Sequence, residues 1–340
     1  MKIFHGPNNI AGAAGVLAKA QRTLGYDAEA VCYSTGTYGY PADRYLKRTM
    51  ADRVSSTIKE SLTHDVFHFY FGQSLTGGSL YDVPWLRRLG KKVFFYFCGC
   101  DLRDAKAVIA QREFSACKTC WPAACSANRL KAVETASNCD GIFVSTPDLL
   151  EFADNAIWLP QPLSFEQFDI LRQSLNFNTD AGQRTKKAVR IAHGPSSRLL
   201  KGTIHLEEAI ARLRARHLDV ELVLVENMSH VDAMQACLDA DIIVDQLLIG
   251  AYGQFSVEMM ALGKPVVCYI RDDLRPLYPA DLPILSANPR TIEQVLEGLV
   301  NQPESWAKMG EAGLAYARKY HDSFAVAKIA LDAYGIKKHN

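Results

Sequence analysis

Arg198 and Lys201 stand one helical turn apart in the stretch His193-Gly194-Pro195-Ser196-Ser197-Arg198-Leu199-Leu200-Lys201-Gly202-Thr203, between an apolar run and an amphipathic helical pattern. Backbone N–H groups of a helix's first turn point at an anion, and two cations beside them can neutralise a diphosphate. A nucleoside diphosphate gains charge as it leaves a sugar, so Arg198 and Lys201 are candidate catalytic residues and Ser196 a candidate binding residue. The spacing alone fits an exposed pair at a helix start equally well. A second stretch, Gly250-Ala251-Tyr252-Gly253-Gln254-Phe255-Ser256-Val257-Glu258, runs from a glycine loop into a helix that ends at Gly263. Such a loop brings backbone amides close to a sugar or phosphate, which makes Gly250, Tyr252, Gly253, Gln254 and Phe255 candidate donor-binding residues. Glu258, one turn into that helix, can accept hydrogen bonds from ribose hydroxyls. Its neighbours Met259, Met260, Ala261 and Leu262 are of core type, which fits poorly with a surface glutamate.

Near the amino terminus, Asn8-Asn9-Ile10-Ala11-Gly12-Ala13-Ala14-Gly15 links a first strand to a first helix, and Gly12 permits close approach of a ligand or of the chain itself. Asp101, in Cys98-Gly99-Cys100-Asp101-Leu102-Arg103, either contacts an acceptor hydroxyl or orders its loop together with Arg103. His68 ends a strand, where a satisfied core histidine is the more common finding. Cys117-Lys118-Thr119-Cys120 and Cys125, with Cys98 and Cys100 upstream, supply enough thiolates for a tetrahedral zinc. Cys100, Cys117, Cys120 and Cys125 are the candidate set; such a site would fix a loop rather than perform chemistry, and unpaired thiols are the alternative.

The elements that must position these residues alternate between short apolar runs and amphipathic helical patterns, the signature of parallel sheets covered by helices, so the predicted class is α/β. Strands are expected at 2–5, 28–33, 65–70, 92–97 and 141–144, with helices near 11–24, 51–62, 80–89 and 127–137. Strands near 189–193, 221–225, 241–244 and 265–268 then alternate with helices near 203–216, 231–238 and 255–262, and 304–336 is helical with breaks at Gly313 and at His321-Asp322-Ser323. Periodicity lapses around 175–187, so two doubly wound domains are expected: 1–165, a connector 166–187, and 188–320, with a terminal helix over 321–340.

The 340 residues suit two domains, and a 48% hydrophobic, 22% charged composition is that of a packed protein. Nine cysteines, an odd number, appear without a secretory signal, which points to reduced thiols or a metal and to a cytoplasmic protein. A net charge of +1 gives no electrostatic case for nucleic acid. Arg87-Arg88 with Lys91-Lys92 could touch an anionic membrane surface, although such clusters are most often solvated faces.

The segments 198–202 and 258–267, the amino-terminal loop 6–15 and the terminal pattern Ala317-Arg318-Lys319-Tyr320-His321-Asp322-Ser323-Phe324 resemble the GT-B glycosyltransferases, in particular the large retaining family that includes sucrose and glycogen synthases. The resemblance covers nearly the whole chain. It implies two Rossmann-like domains facing across a cleft, a nucleotide-sugar donor as co-substrate and a glycan or glycolipid acceptor. It implies transfer with retention of configuration and no catalytic metal. Arg198 and Lys201 would bind the donor diphosphate, Glu258 the ribose, and the last helix would cross back onto the first domain. The family keeps a glutamate eight residues before the ribose-binding one, where this chain has Gly250, and a histidine where this chain has Cys98. Those departures suggest a rival reading, a relative without catalysis that acts as a binding or scaffold subunit. A nicotinamide-dependent oxidoreductase lacks the glycine fingerprint it would need after a strand.

Overall fold

The computed structural model describes residues 1–35, 39–47, 49–120, 129–175 and 188–336. It divides into two compact units: Met1–Lys106 with Trp121–Ser164 and Tyr320–Asn340, and Ala107–Cys120 with Phe165–Lys319.

The first unit is built on seven strands: β1 (Lys2–Gly6), β2 (Asp27–Cys32), β3 (Arg44–Tyr45), β4 (Val66–Tyr70), β5 (Lys92–Phe97), β6 (Gly141–Val144) and β7 (Ile157–Trp158). They pair in the order β3-β2-β1-β4-β5-β6-β7, all in parallel. Outward from β1 this is the 3-2-1-4-5-6 order of a doubly wound sheet. Side chains alternate between its faces. Phe4, Phe67, Phe69, Phe95 and Phe97 fill one apolar layer with α3 (Asp82–Arg88) and α5 (Arg129–Ser137), while Ile3, Tyr70, Phe94, Tyr96 and Phe143 fill the other. The second layer is closed by α1 (Ala13–Thr23) and by α13 (Ser323–Ala333), which contributes Val326, Ala327, Ala330 and Leu331. The chain rejoins this unit through paired backbone hydrogen bonds, Leu163 N–H to His321 O at 2.7 Å and Ser323 N–H to Leu163 O at 3.0 Å. The remaining helices in this part are α2 (Met50–Thr63) and α4 (Ala105–Gln111), the latter straddling the boundary between the units.

In the second unit β8 (Val189–His193), β9 (Val220–Leu224), β10 (Ile242–Val244) and β11 (Val266–Val267) pair in parallel in the order β11-β10-β8-β9. Its helices are α6 (Phe165–Ser174), α7 (Arg198–Lys201), α8 (Thr203–Ala215), α9 (His230–Leu238), α10 (Gln254–Ala261), α11 (Ile292–Val300) and α12 (Trp306–Tyr320). Of the expected connector 166–187, the first part is helix α6, and 176–187 lie outside the described residues.

Gly313 does not break a helix; α12 runs through it. The glycine serves packing instead. A Cβ on Gly313 would lie 3.4 Å from Met260, and one on Gly310 would lie 1.9 Å from the carbonyl oxygen of Gly263, so both let α12 approach α10 closely.

Candidate functional site

β8 has β9 on one side and β10 on the other, while the chain order reverses there, so the carboxyl ends of β8 and β10 form the second unit's topological switch point. Open α/β sheets bind ligands at such points. The last residue of β8, His193, is fully buried. Its Nδ1–H donates to Val244 O at 2.8 Å, because a carbonyl can only accept, and its Nε2 accepts from the Thr203 hydroxyl at 2.9 Å. Burial lowers its pKa and keeps the imidazole neutral, so His193 ties β8, β10 and the start of α8 into one frame.

α7 is a single turn whose N-cap, Ser197, accepts from Leu200 N–H at 3.5 Å. Gly202, at φ 77°, lets the chain turn into α8 with Leu247 and Leu248 packed against it. The short helix aims its two cations differently. Lys201 is nearly buried and donates to Asp245 Oδ1 at 2.7 Å and Gln246 Oε1 at 2.8 Å. Asp245, the residue after β10, is wholly buried, and its other oxygen accepts from Ser256 Oγ at 2.7 Å. Burial disfavours the Asp245 charge, yet Lys201 and the Ser256 hydrogen bond hold its carboxyl below the ordinary range. Arg198 is exposed and forks onto Glu226, with Nε at 2.9 Å and Nη2 at 2.6 Å, and its Nη1 reaches Glu207 at 3.3 Å. Ser196 is exposed at the mouth of this loop.

The glycine loop meets the same place. A Cβ on Gly194 would lie 2.9 Å from the Phe255 ring, and one on Gly253 would lie 4.0 Å from Asp245 and Gln246. Loops 194–201 and 250–258 are therefore packed on each other. Glu258 is 8% exposed and accepts from Gln254 Nε2 at 3.3 Å. Burial, with a smaller contribution from the Asp245 charge, pushes its carboxyl up to about 7. The Tyr252 ring is a core side chain, its hydroxyl 3.2 Å from that of Tyr316 and its centroid 4.9 Å from that of Tyr278. Gly250 has φ 85°, and a Cβ there would lie 2.5 Å from Arg271 Cγ. Arg271, itself buried, forks onto Asp273 at 3.0 and 2.6 Å. The space beside Gly250 is thus filled by an arginine of this chain.

A strip of the first half of the chain belongs to this site's surroundings. Ala116 N–H donates to Leu248 O and Thr119 Oγ1 to Leu199 O, each at 3.2 Å, and the Phe114 ring stands edge-on to Tyr269. Nothing in the periodicity of 107–120 signals this. Asp245, Gln246 and Ser256 also escaped sequence reasoning, although an aspartate directly after the apolar run Ile242-Ile243-Val244 is a signal that could have found the first.

In the first unit, Asp101 is nearly buried and its carboxylate accepts from the backbone N–H of Gly99 at 2.7 Å and of Cys98 at 3.1 Å. Burial outweighs those bonds and raises its carboxyl to about 6. Arg103 pairs with Asp148, its Nε 3.1 Å from the carboxylate. At Gly12, φ 78°, a Cβ would lie 2.9 Å from the Tyr40 ring, so the close approach made there is by the chain's own residue 40. His68 is a buried core histidine hydrogen-bonded to the Tyr334 hydroxyl and stacked on Phe143.

Among the zinc candidates, Cys117 is buried, Cys120 half-buried and Cys100 exposed, and Cys125 lies outside the described residues. Cys100 falls in the first unit and Cys117 with Cys120 in the second. Among the described residues the clustered metal-type ligand atoms are those of Glu29, Glu60 and His64, and there the Arg44 guanidinium already spans both carboxylates at 2.9 to 3.4 Å. No described helix is long and apolar enough to cross a membrane.

No protein-family model and no curated protein sequence matches the chain. Solved structures do. Sucrose-phosphate synthase from Thermosynechococcus elongatus superposes with a TM-score of 0.63 at 14% identity, covering 94% of this chain and 91% of the other. Anabaena HepE in complex with UDP-glucose gives 0.63 at 11% identity, covering 98% and 99%. UDP-GlcNAc 2-epimerase from Neisseria meningitidis bound to UDP-GlcNAc gives 0.55 at 13% identity, covering 98% of each. At such identities the likeness establishes the fold, which is the α/β, GT-B fold of two doubly wound Rossmann-like domains.

Proposed function

We propose that the chain is a retaining glycosyltransferase that moves a sugar from a nucleotide-sugar donor to a hydroxyl of a saccharide or lipid-linked acceptor. The observation that carries this reading is the meeting of loops 194–201 and 250–258 at the switch point, with Lys201 beside them on its buried partner Asp245. The likeness to HepE, a protein solved with UDP-glucose, supports the same choice of ligand.

An ammonium has three protons, and Lys201 gives two of them to Asp245 and Gln246. The third is the one it would offer a diphosphate. Arg198 would exchange part of its hold on Glu226 for the same group. Both cations act where charge grows as the sugar–oxygen bond breaks, the role a divalent ion has in other transferases, so transfer needs no catalytic metal. Glu258 would take the ribose hydroxyls. Amides of residues 251–254 would take the sugar, with Arg271 closing the space beside Gly250. Asp101, through its hold on the Cys98 and Gly99 amides, would order its own loop on the acceptor side, and Gly12 would serve on the same side. We assign the cell interior as the site of action, and the construction of a polysaccharide or glycolipid as its purpose.

The test is incubation of the protein with UDP-, GDP-, ADP-, CMP- and dTDP-sugars, with and without glycan acceptors, followed by separation of the products. Acceptor-dependent release of one nucleoside diphosphate with retained anomeric configuration is expected. Epimerised donor without transfer would replace this reading with that of an epimerase. Donor binding without any chemistry would leave the non-catalytic relative.

A further inference from the structure

On the first unit, around the Arg87-Arg88 pair singled out in the sequence, α3 and α5 leave a basic groove of about 670 Å³ lined by Val83, Pro84, Arg87, Arg88, Lys131 and Glu134, and beyond them by Thr135, Asn138 and Cys139. Arg87, Arg88 and Lys131 face one carboxylate, Glu134, so the lining carries a net positive charge. The inner faces of the two helices are spent on the core, where Val83, Leu86, Ala132 and Ala136 are buried.

The outer face exposes large apolar side chains beside these cations. Tyr81 is 76% exposed, Trp85 37%, Leu89 45% and Leu130 65%. Tyr81, Trp85 and Leu89 recur every four residues and so form one stripe along α3. Lys131 reaches across from α5 with its ammonium 4.6 Å from the centre of the Tyr81 ring, which joins the two helices' outer faces into one surface. Lys91 extends the basic edge but is paired with Asp65 at 3.5 Å.

We propose that this face docks on a membrane whose surface carries anionic lipids, with a lipid phosphate held by Arg87, Arg88 and Lys131 and with Tyr81, Trp85, Leu89 and Leu130 in the headgroup region. The chemistry fits on both counts. Tyrosine and tryptophan rings settle at the boundary between headgroups and acyl chains, where one edge is apolar and the other wet. Arginine and lysine close to an anionic leaflet each add about fivefold to the partition. A soluble phosphate compound would use the three cations and leave the exposed stripe unexplained. A protein partner would give the stripe a use without calling for lipid charge. The bilayer accounts for both features together, and it does so independently of which donor or acceptor the protein uses.

The experiment is sedimentation of the full chain with vesicles of phosphatidylcholine alone and of phosphatidylcholine containing phosphatidylglycerol. Binding to the second and not the first, falling as salt is raised, is expected. R87Q combined with R88Q should weaken that binding about 25-fold from the loss of two basic side chains. Trp85→Ser with Leu89→Ser should weaken it while leaving its dependence on salt. These side chains lie at the surface, so all variants should keep the wild-type circular dichroism and melting temperature. Equal binding to both vesicles, no binding to either, or full binding by R87Q/R88Q would overturn the proposal. So would displacement of the protein from vesicles by millimolar inorganic phosphate at constant ionic strength, which would assign the groove to small anions.

Discussion

Lys201→Met should do two separable things. The first is structural. Asp245 is wholly buried, and Lys201 supplies its counter-charge at 2.7 Å from a side chain only 13% exposed. Removing one member of a buried ion pair strands the other and costs about 3 kcal/mol or more. For a unit of this size that amounts to a fall of about 6–12 °C in melting temperature. Of the two side chains that hydrogen-bond the Asp245 carboxylate among the described residues, Ser256 would then remain. The second effect is chemical: a lost charge-assisted donor to the leaving group should lower kcat about 10²- to 10³-fold. Adding Asp245→Asn to Lys201→Met separates them, because an asparagine keeps an acceptor for Ser256 without a charge. The double variant should regain most of the lost stability, with a coupling of about 2–3 kcal/mol in the cycle, and none of the lost turnover. Urea denaturation of the four proteins and turnover with the donor identified by screening provide both readouts. If the double variant is no more stable than Lys201→Met, the pair is not what holds this region. If it regains turnover, Lys201 acts only through the fold.

Arg198 offers a contrast, since it is exposed and paired only at the surface: Arg198→Ala should lower turnover about 10²-fold while shifting the melting temperature by no more than a degree or so. Glu258 is expected to bind ribose as a carboxylate, and its carboxyl is raised to about 7; donor affinity measured by calorimetry should therefore rise several-fold from pH 6 to pH 8, and Glu258→Gln should abolish that rise. Reinstating a glutamate with Gly250→Glu should damage rather than improve the protein, because φ is 85° and the Cβ would meet Arg271; a loss of about 2–4 kcal/mol is expected from the left-handed backbone and the overpacking together. Burial lowers the pKa of His5 and His321 to about 4 and that of His68 well below its ordinary value. Below pH 6.5 the unfolded chain takes up protons that these histidines refuse when folded, so stability is full above pH 6.5 and is lost as the pH falls. At pH 5 the loss is about 2 kcal/mol per histidine, and denaturation midpoints that stay flat between pH 7 and pH 5 would contradict it.

The apolar runs of β1, β4, β5, β6, β8 and β10 were legible because strands buried on both faces must be apolar throughout, and their alternation with amphipathic helices dictates a parallel sheet. The short strands β3 and β7 were not, since Arg44-Tyr45 and Ile157-Trp158 lack the β-branched apolar run that marked the equally short β11 at Val266-Val267. Gly313 misled for a specific reason: a glycine that ends a helix and one that lets two helices touch look alike until the neighbouring helix is seen. The two loops of the candidate site could be located from their glycines and cations. Asp245 was signalled only by its place directly after the apolar run Ile242-Ile243-Val244, and the ring of Tyr252 and the space beside Gly250 are decided by Tyr316 and Arg271, residues distant in sequence. Residues 107–120 are the clearest case. Their partners, Leu199, Leu248 and Tyr269, are all more than 70 positions downstream, and no local pattern announces so distant a contact.

The return of α13 to the first unit bears on how a ribosome can deliver this molecule. Val326, Ala327, Ala330 and Leu331 cover one face of a sheet whose strands are all made before residue 164. Between that sheet and its cover lie residues 165–319, which take about 8–31 s to synthesise at 5–20 residues per second. For that interval the nascent amino-terminal sheet exposes an apolar layer meant for a helix still unmade. The unit that emerges second is therefore the first that can be completed. Synthesis of α13, rather than emergence of the last strand, is the event that finishes the amino-terminal half.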